Sequence, residues 1–192
     1  MPHTVLIAYA THEGHTRTIA THIADTLTGL GLEVKVHDVA VGPIDPAPFE
    51  RVVLASPVHA GHHESAMVKF VKAHRELLDA KHAALVSIGV GEAMHEHSPN
   101  AEQRKKGAEG ARAAVEAFFT ATGWRAGHVE YVAGALAYRK YNWLIRFIMK
   151  RIAKSGELST DTTTDHDYTN WAALDRFAAE LVTEGPTVSL RN

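Results

Sequence analysis

The stretch Thr4-Val5-Leu6-Ile7-Ala8-Tyr9-Ala10-Thr11-His12-Glu13-Gly14-His15-Thr16 decides the fold. Thr4–Ala10 is apolar almost throughout and shows no polar alternation. Such a run reads as a strand buried on both faces, the habit of a parallel sheet. Thr11–Thr16 is a short turn that opens a helix. Over Thr16–Leu30, residues Ile19, Ile23, Leu27 and Leu30 recur at helical spacing, and Gly31 supplies the stop. The turn has a chemistry of its own. Thr11 and Thr16 offer hydroxyls, and Gly14 lets successive N–H groups point inward. The helix N-terminus adds partial positive charge. A phosphate monoester can sit there without a lysine, although a plain strand-to-helix turn accounts for the same residues.

The pattern repeats outward from this unit. Glu33–Val39, Arg51–Ala55, Ala83–Ile88 and His128–Ala135 read as four further strands. Pro43, Pro46 and Pro48 mark a loop. Ser65–Leu78 carries Met67, Phe70, Val71, His74, Leu77 and Leu78 at helical spacing, which places His74 in the core. Ala101–Thr122 turns Ala111, Val115 and Phe118 inward. Asn170–Val182 does so with Trp171, Leu174, Phe177, Ala178 and Leu181. Strands alternating with helices imply an α/β fold, a five-stranded parallel sheet with helices on both faces. One domain over residues 1–192 is expected. The connection at about 137–169 is far too long for an ordinary loop.

Composition removes several functions. The 192 residues contain 20 Lys and Arg against 22 Asp and Glu, so no basic nucleic-acid binder is expected. With no cysteine, the chain has no disulfide, thiolate nucleophile or cysteinyl cluster. No secretory leader and no membrane-spanning run is evident, so the cytoplasm is the expected compartment. No GxGxxG follows the first strand, and neither a GxxxxGK[ST] loop nor a GxSxG elbow occurs.

The charge is uneven. Residues 137–156 hold Arg139, Lys140, Arg146, Lys150, Arg151 and Lys154 and no acid, which leaves 14 basic residues against 22 acidic ones elsewhere. Asn142–Lys154 reads as a helix that interleaves these with Trp143, Ile145, Phe147, Ile148, Met149 and Ile152. Such a helix can lie on a membrane surface, cover an apolar anionic substrate, pack on the sheet or contact a second copy.

The loop Thr11-His12-Glu13-Gly14-His15-Thr16 resembles the T-x-x-G-x-T phosphate loop of the flavodoxin family. Ser56-Pro57-Val58-His59-Ala60-Gly61-His62-His63 and Gly89–His97 occupy the positions of that family's second and third flavin loops. Further along, Ala133-Gly134-Ala135-Leu136, Tyr138, Tyr141, Trp143, Arg146, Phe147, Met149-Lys150, Asp161 and Tyr168-Thr169-Asn170-Trp171 are similar to the menaquinone-dependent protoporphyrinogen IX dehydrogenases, flavodoxin-like enzymes with an extra segment here. The resemblance implies the doubly wound strand order 2-1-3-4-5. It implies FMN as cofactor, held by Thr11–Thr16, by Ser56, Pro57, Val58, His59, Ala60 and Gly61, and by Gly89, Val90, Gly91 and Glu92. It implies a reduced tetrapyrrole as electron donor, bound by Arg139, Lys140, Trp143 and Arg146, with the three cations as candidates for its propionates. A quinone is then the acceptor, reached by peripheral membrane contact through 138–154. A flavodoxin-type electron carrier and an FMN-dependent quinone reductase are the rival functions. Two features depart from the pattern. Ser56–His63 and Gly89–Asn100 contain no Phe, Tyr or Trp to stack on a flavin, and Glu92 and Glu96 are unfavourable neighbours for a propionate.

The 14 histidines cluster as well. His12, His15, His59, His62, His63, His95 and His97 fall on the three loops. An imidazolium near the N1 edge of a reduced flavin would stabilise its negative charge, and His59 is the favoured residue by position. Metal ligation is not expected, because neither an HxxxH pair on a helix nor a carboxylate triad is present. Solvated loop histidines remain the plain alternative.

Overall fold

The structure is a computed structural model, and it describes residues 4–136, 150–151, 153–154, 156 and 158–183. Among the described residues, eight strands and five helices with defined bounds follow one another. They are β1 (Thr4–Tyr9), α1 (His15–Gly29), β2 (Glu33–Asp38), β3 (Arg51–His59), β4 (His62–His63), α2 (Ser65–Ala80), β5 (His82–Gly89), α3 (Val90–His97), α4 (Ala101–Thr122), β6 (His128–Ala133), β7 (Ala135–Leu136), β8 (His166–Asp167) and α5 (Trp171–Thr183). The main sheet runs β2-β1-β3-β5-β6, all parallel. Counting only its five principal strands, this is the expected order 2-1-3-4-5.

Two apolar layers sandwich the sheet. Alternate residues of β1, β3 and β5 (Val5 and Ile7; Val53 and Ala55; Ala84, Val86 and Ile88) pack against Ile19, Ile23 and Leu27 of α1 and Leu174, Phe177 and Leu181 of α5. The intervening residues Leu6, Val52, Leu54 and Leu85 face Met67, Phe70 and Val71 of α2 and Val115, Phe118 and Phe119 of α4. The side-chain period of two explains why β1 is apolar on both sides.

Several details differ from expectation. The third strand does not stop at Ala55. It continues to His59, turns through Ala60 and Gly61, and pairs with β4 in the register Val58↔His63 and His59↔His62. Ala60 (φ 49°) and Gly61 (φ 80°) are both left-handed, as a two-residue hairpin turn of the primed type requires. The third loop is mostly helix, since Val90–His97 forms α3 directly after Gly89. His74 is not a core residue. Its backbone leaves helical geometry (φ −117°, ψ 17°) and kinks α2, and its half-buried ring lies 4.8 Å from that of Phe70. The long connection returns as β8, which pairs antiparallel with β7. Its expected helix over 142–154 falls largely outside the described residues. Lys150, Arg151, Ala153 and Lys154 are helical, with Ala153 buried against Ala93 and Ala133 and the three basic residues exposed.

Candidate functional site

A cavity of about 670 Å³ opens at the carboxyl ends of the strands, within the size range of small-molecule sites. In doubly wound sheets this edge is where ligands bind. Its walls include His12, Glu13, His15 and Thr16 from the β1–α1 turn, Pro57–Gly61 from the β3–β4 hairpin, and Gly89–Glu92 at the start of α3. Thirteen of the sixteen cofactor positions named from sequence therefore line one space. Thr11, Gly14 and Ser56 lie behind the wall. The Thr11 hydroxyl accepts from the Gly14 N–H at 2.9 Å, and Gly14 takes φ 94°, so the pair shapes the turn from within. Ser56 is fully buried, and its Oγ accepts from the Glu64 N–H at 3.3 Å.

Three helix N-termini meet at this cavity. None of α1, α2 and α3 has a side-chain cap at its N-terminus. By contrast α4 is capped by Asn100, whose side chain accepts from the N–H groups of Glu102 and Gln103. Uncapped first turns leave donors and partial positive charge for a bound group. Gly61, Gly89, Gly91, Gly110 and Gly134 interrupt Pro57, Val58, Ile88, Val90, Ala111 and Ala135. Gly134 packs against the Gly89 backbone, where a Cβ on Gly134 would stand 3.3 Å from the Gly89 carbonyl carbon.

The histidines are held by acids and hydroxyls. His59 Nε2 lies 3.6 Å from both Glu13 Oε2 and Glu64 Oε1, and its ring stands edge-on to His12 at 5.8 Å. This bridges the hairpin to the β1–α1 turn and to the start of α2. The Thr169 hydroxyl spends its hydrogen on the Ala133 carbonyl at 3.2 Å, so it accepts from His15 Nε2 at 2.9 Å. Asp167 lies 3.6 Å from the same nitrogen and accepts from the Thr169 N–H. His97 Nε2 donates to the Tyr168 carbonyl at 3.2 Å. The stretch from Asp167 to Thr169 is thereby fastened to the start of α1 and to the C-terminal end of α3. His63 is buried and packs on Phe118. Burial pulls its imidazole down to about 4, against a smaller opposing pull from the Ser56 backbone. Burial pushes the Glu92 carboxyl up, with His95 and Arg112 pulling back. No group of three metal-ligating side chains occurs among the described residues.

Sequence reasoning missed Glu64, Ser87, Ile88, Gly110, Ala111, Gly134 and Ala135 as wall residues. Ser87 carried a readable signal, a polar residue at the carboxyl end of an apolar strand. Gly110 and Ala111 carried none, because α4 reaches the site only by crossing α3. Arg139, Lys140, Trp143 and Arg146, expected to meet the substrate, lie outside the described residues.

Residues 6–163 match the family model described as a flavodoxin domain. Over 189 residues the chain is 32% identical to a protein named protoporphyrinogen IX dehydrogenase (quinone) from Escherichia coli (strain K12), covering 95% of this chain and 98% of that protein. A protein of the same name from Leishmania major is 31% identical over 181 residues, which is 92% of this chain and 73% of its own length. Oxidised flavodoxin 1 from Bacillus cereus has a similar fold, with a TM-score of 0.52 at 14% identity, covering 95% of this chain and 99% of that one. The matches run from the first strand through the segment beyond the last, and leave no strand of the sheet outside them: the chain belongs to the flavodoxin family.

Proposed function

We propose that this chain is an FMN-dependent protoporphyrinogen IX dehydrogenase that passes electrons to a quinone. The observation that carries the reading is similarity over 95% and 92% of this chain to two relatives of that name, a span that takes in the extra segment. The cavity fits the cofactor on its own terms. Three uncapped helix N-termini supply donors at its edge, and a glycine-interrupted apolar wall leaves room for a flat ring system.

When bound, FMN supplies the hydride and electron chemistry, so no protein nucleophile is needed. The residues bind and orient. The β1–α1 turn presents backbone N–H groups and the α1 dipole to the phosphate. Pro57, Val58, Val90 and Ala111 exclude water from the ring. His59, set between Glu13 and Glu64, is the polar group best placed to tune the flavin. Arg139, Lys140, Trp143 and Arg146 take the substrate, their cations meeting its propionates. This division of labour accounts for the site's polarity, because among the described residues Glu13, Glu64 and Glu92 line the cavity and no lysine or arginine does.

Among the described residues no helix is long and apolar enough to cross a membrane. The exposed Lys150, Arg151 and Lys154 support peripheral contact of a cytoplasmic protein with an anionic membrane, where quinones reside. The acidic rim is the one observation favouring a flavodoxin-type electron carrier instead. Replacing Arg139, Lys140 and Arg146 together by Gln separates the two readings. FMN should stay bound while KM for protoporphyrinogen rises at least tenfold. An unchanged KM would remove the substrate assignment.

A further inference from the structure

Beneath the cavity lies a polar group that the chemistry above does not use. His63 stands on β4, the short return strand of the hairpin. It is 6% exposed, packs its ring 4.8 Å from Phe118, and belongs to an otherwise apolar layer. Its Nε2 lies 3.4 Å from the Ser87 Oγ. Its Nδ1 is buried with no hydrogen-bond partner. Among the described residues only Trp124 Nε1 shares that condition, and it does not line this cavity. Ser87 is itself a wall residue, cross-strand neighbour to Ser56 in the β3–β5 register. The hairpin therefore sets an imidazole behind a cavity-facing serine, where an apolar ring would fill the same space at lower cost.

The hydrogen count determines what this pair does. Burial keeps the ring neutral, so it carries one proton. A buried N–H without a partner costs more than a bare lone pair, and orphaned N–H groups are the rarer of the two in proteins. Nδ1 has no partner, so the proton belongs on Nε2, where Ser87 can accept it, and the Ser56 backbone adds a weaker pull on the same ring. An oxygen that accepts from His63 has its own hydrogen left to give. We infer that His63 is a positioning residue: through Nε2–H it turns the Ser87 hydroxyl outward, so that this wall offers the bound flavin a hydrogen-bond donor. The inference rests on the FMN reading of the cavity and names a residue pair for it. The acceptor edge of an oxidised isoalloxazine is the chemistry such a donor suits.

The test uses the full chain and titrates apoprotein with FMN, following flavin fluorescence and the visible absorption band. His63→Leu should raise the FMN dissociation constant about fivefold and shift the band. Ser87→Ala should do the same, and the double variant should be no worse than Ser87→Ala alone. His63→Gln, whose amide N–H reaches as far as Nε2, should restore both readings. His63→Leu should also melt higher than the parent, since it removes an unsatisfied buried nitrogen. A packing role moves stability and affinity in the same direction, whereas the positioning role moves them in opposite directions. Imidazole ¹⁵N shifts in the apoprotein should report the Nε2–H tautomer. Additive losses in the double variant, an unchanged FMN affinity in His63→Leu, or an Nδ1–H tautomer would each overturn the proposal. If the parent protein takes up no FMN, the cofactor reading itself fails, and that result is separate from the variant comparison.

Discussion

Two single residues show how the site's strain and burial are arranged. Ala60 is the one non-glycine residue with positive φ among the described residues, at the first position of the β3–β4 turn. A left-handed alanine costs about 1–2 kcal/mol, so Ala60→Gly should offset part of that and raise the melting temperature by several degrees. A fall in stability would show that the turn is not strained. His63 makes a pH prediction. Its imidazole sits at about 4 in the folded chain against 6.5 when unfolded. Between these values the unfolded chain binds the extra proton, so stability is full above pH 6.5 and declines as pH falls toward 4. The loss amounts to about 3 kcal/mol at about 1.4 kcal/mol per pH unit. Urea titrations across that range should show it in the parent and not in His63→Leu.

At the scale of elements, the crossing of α3 and α4 builds the far wall of the cavity. A Cβ on Gly91 would stand 2.9 Å from the Gly107 carbonyl oxygen, and a Cβ on Gly107 would run into the Gly91 carbonyl oxygen. Two backbones at contact distance leave no flexible side chain to yield. Gly107→Ala should cost about 1–3 kcal/mol and weaken FMN retention, because Gly91 and Ala111 line the site. Normal thermal stability with normal retention would refute this. A second coupling joins the β1–α1 turn to the stretch after β8. Thr169→Val keeps the shape, removes the acceptor of His15 Nε2 and leaves the Ala133 carbonyl without that donor. FMN release from the variant should be several-fold faster by stopped flow, and an unchanged rate would uncouple the two elements.

How much of this was readable depended on whether the determining contacts were local. The apolar runs at Thr4–Ala10, Arg51–Ala55 and Ala83–Ile88 are buried on both faces, so the sheet was legible from sequence. The β1–α1 turn was legible for the same reason, since Gly14 and the flanking threonines act within one turn. The hairpin was not, because Ala60-Gly61 lacks the Asn-Gly or Asp-Gly signature of such turns. Helix α3 was not, because its eight residues include Glu92, His95, Glu96 and His97 and read as loop. The wall from α4 depends on a glycine-to-glycine crossing that no local pattern encodes. The histidines were located but not sorted: sequence favoured His59, and only packing shows that, among the described residues, His63 is the buried one.

At the scale of the whole molecule, an otherwise acidic sequence carries one basic, aromatic segment, and Glu13, Glu64 and Glu92 line the cavity. The account divides the work accordingly, with the cavity for FMN and the segment for an anionic, apolar donor near the membrane. The most direct measurement gives purified holoprotein protoporphyrinogen IX and a quinone, and follows porphyrin fluorescence together with quinone absorbance. The account predicts that porphyrin appears in step with quinone loss, stops when FMN is stripped and resumes when FMN is returned. A fully flavin-loaded protein that leaves protoporphyrinogen unoxidised while accepting electrons from other donors would contradict it.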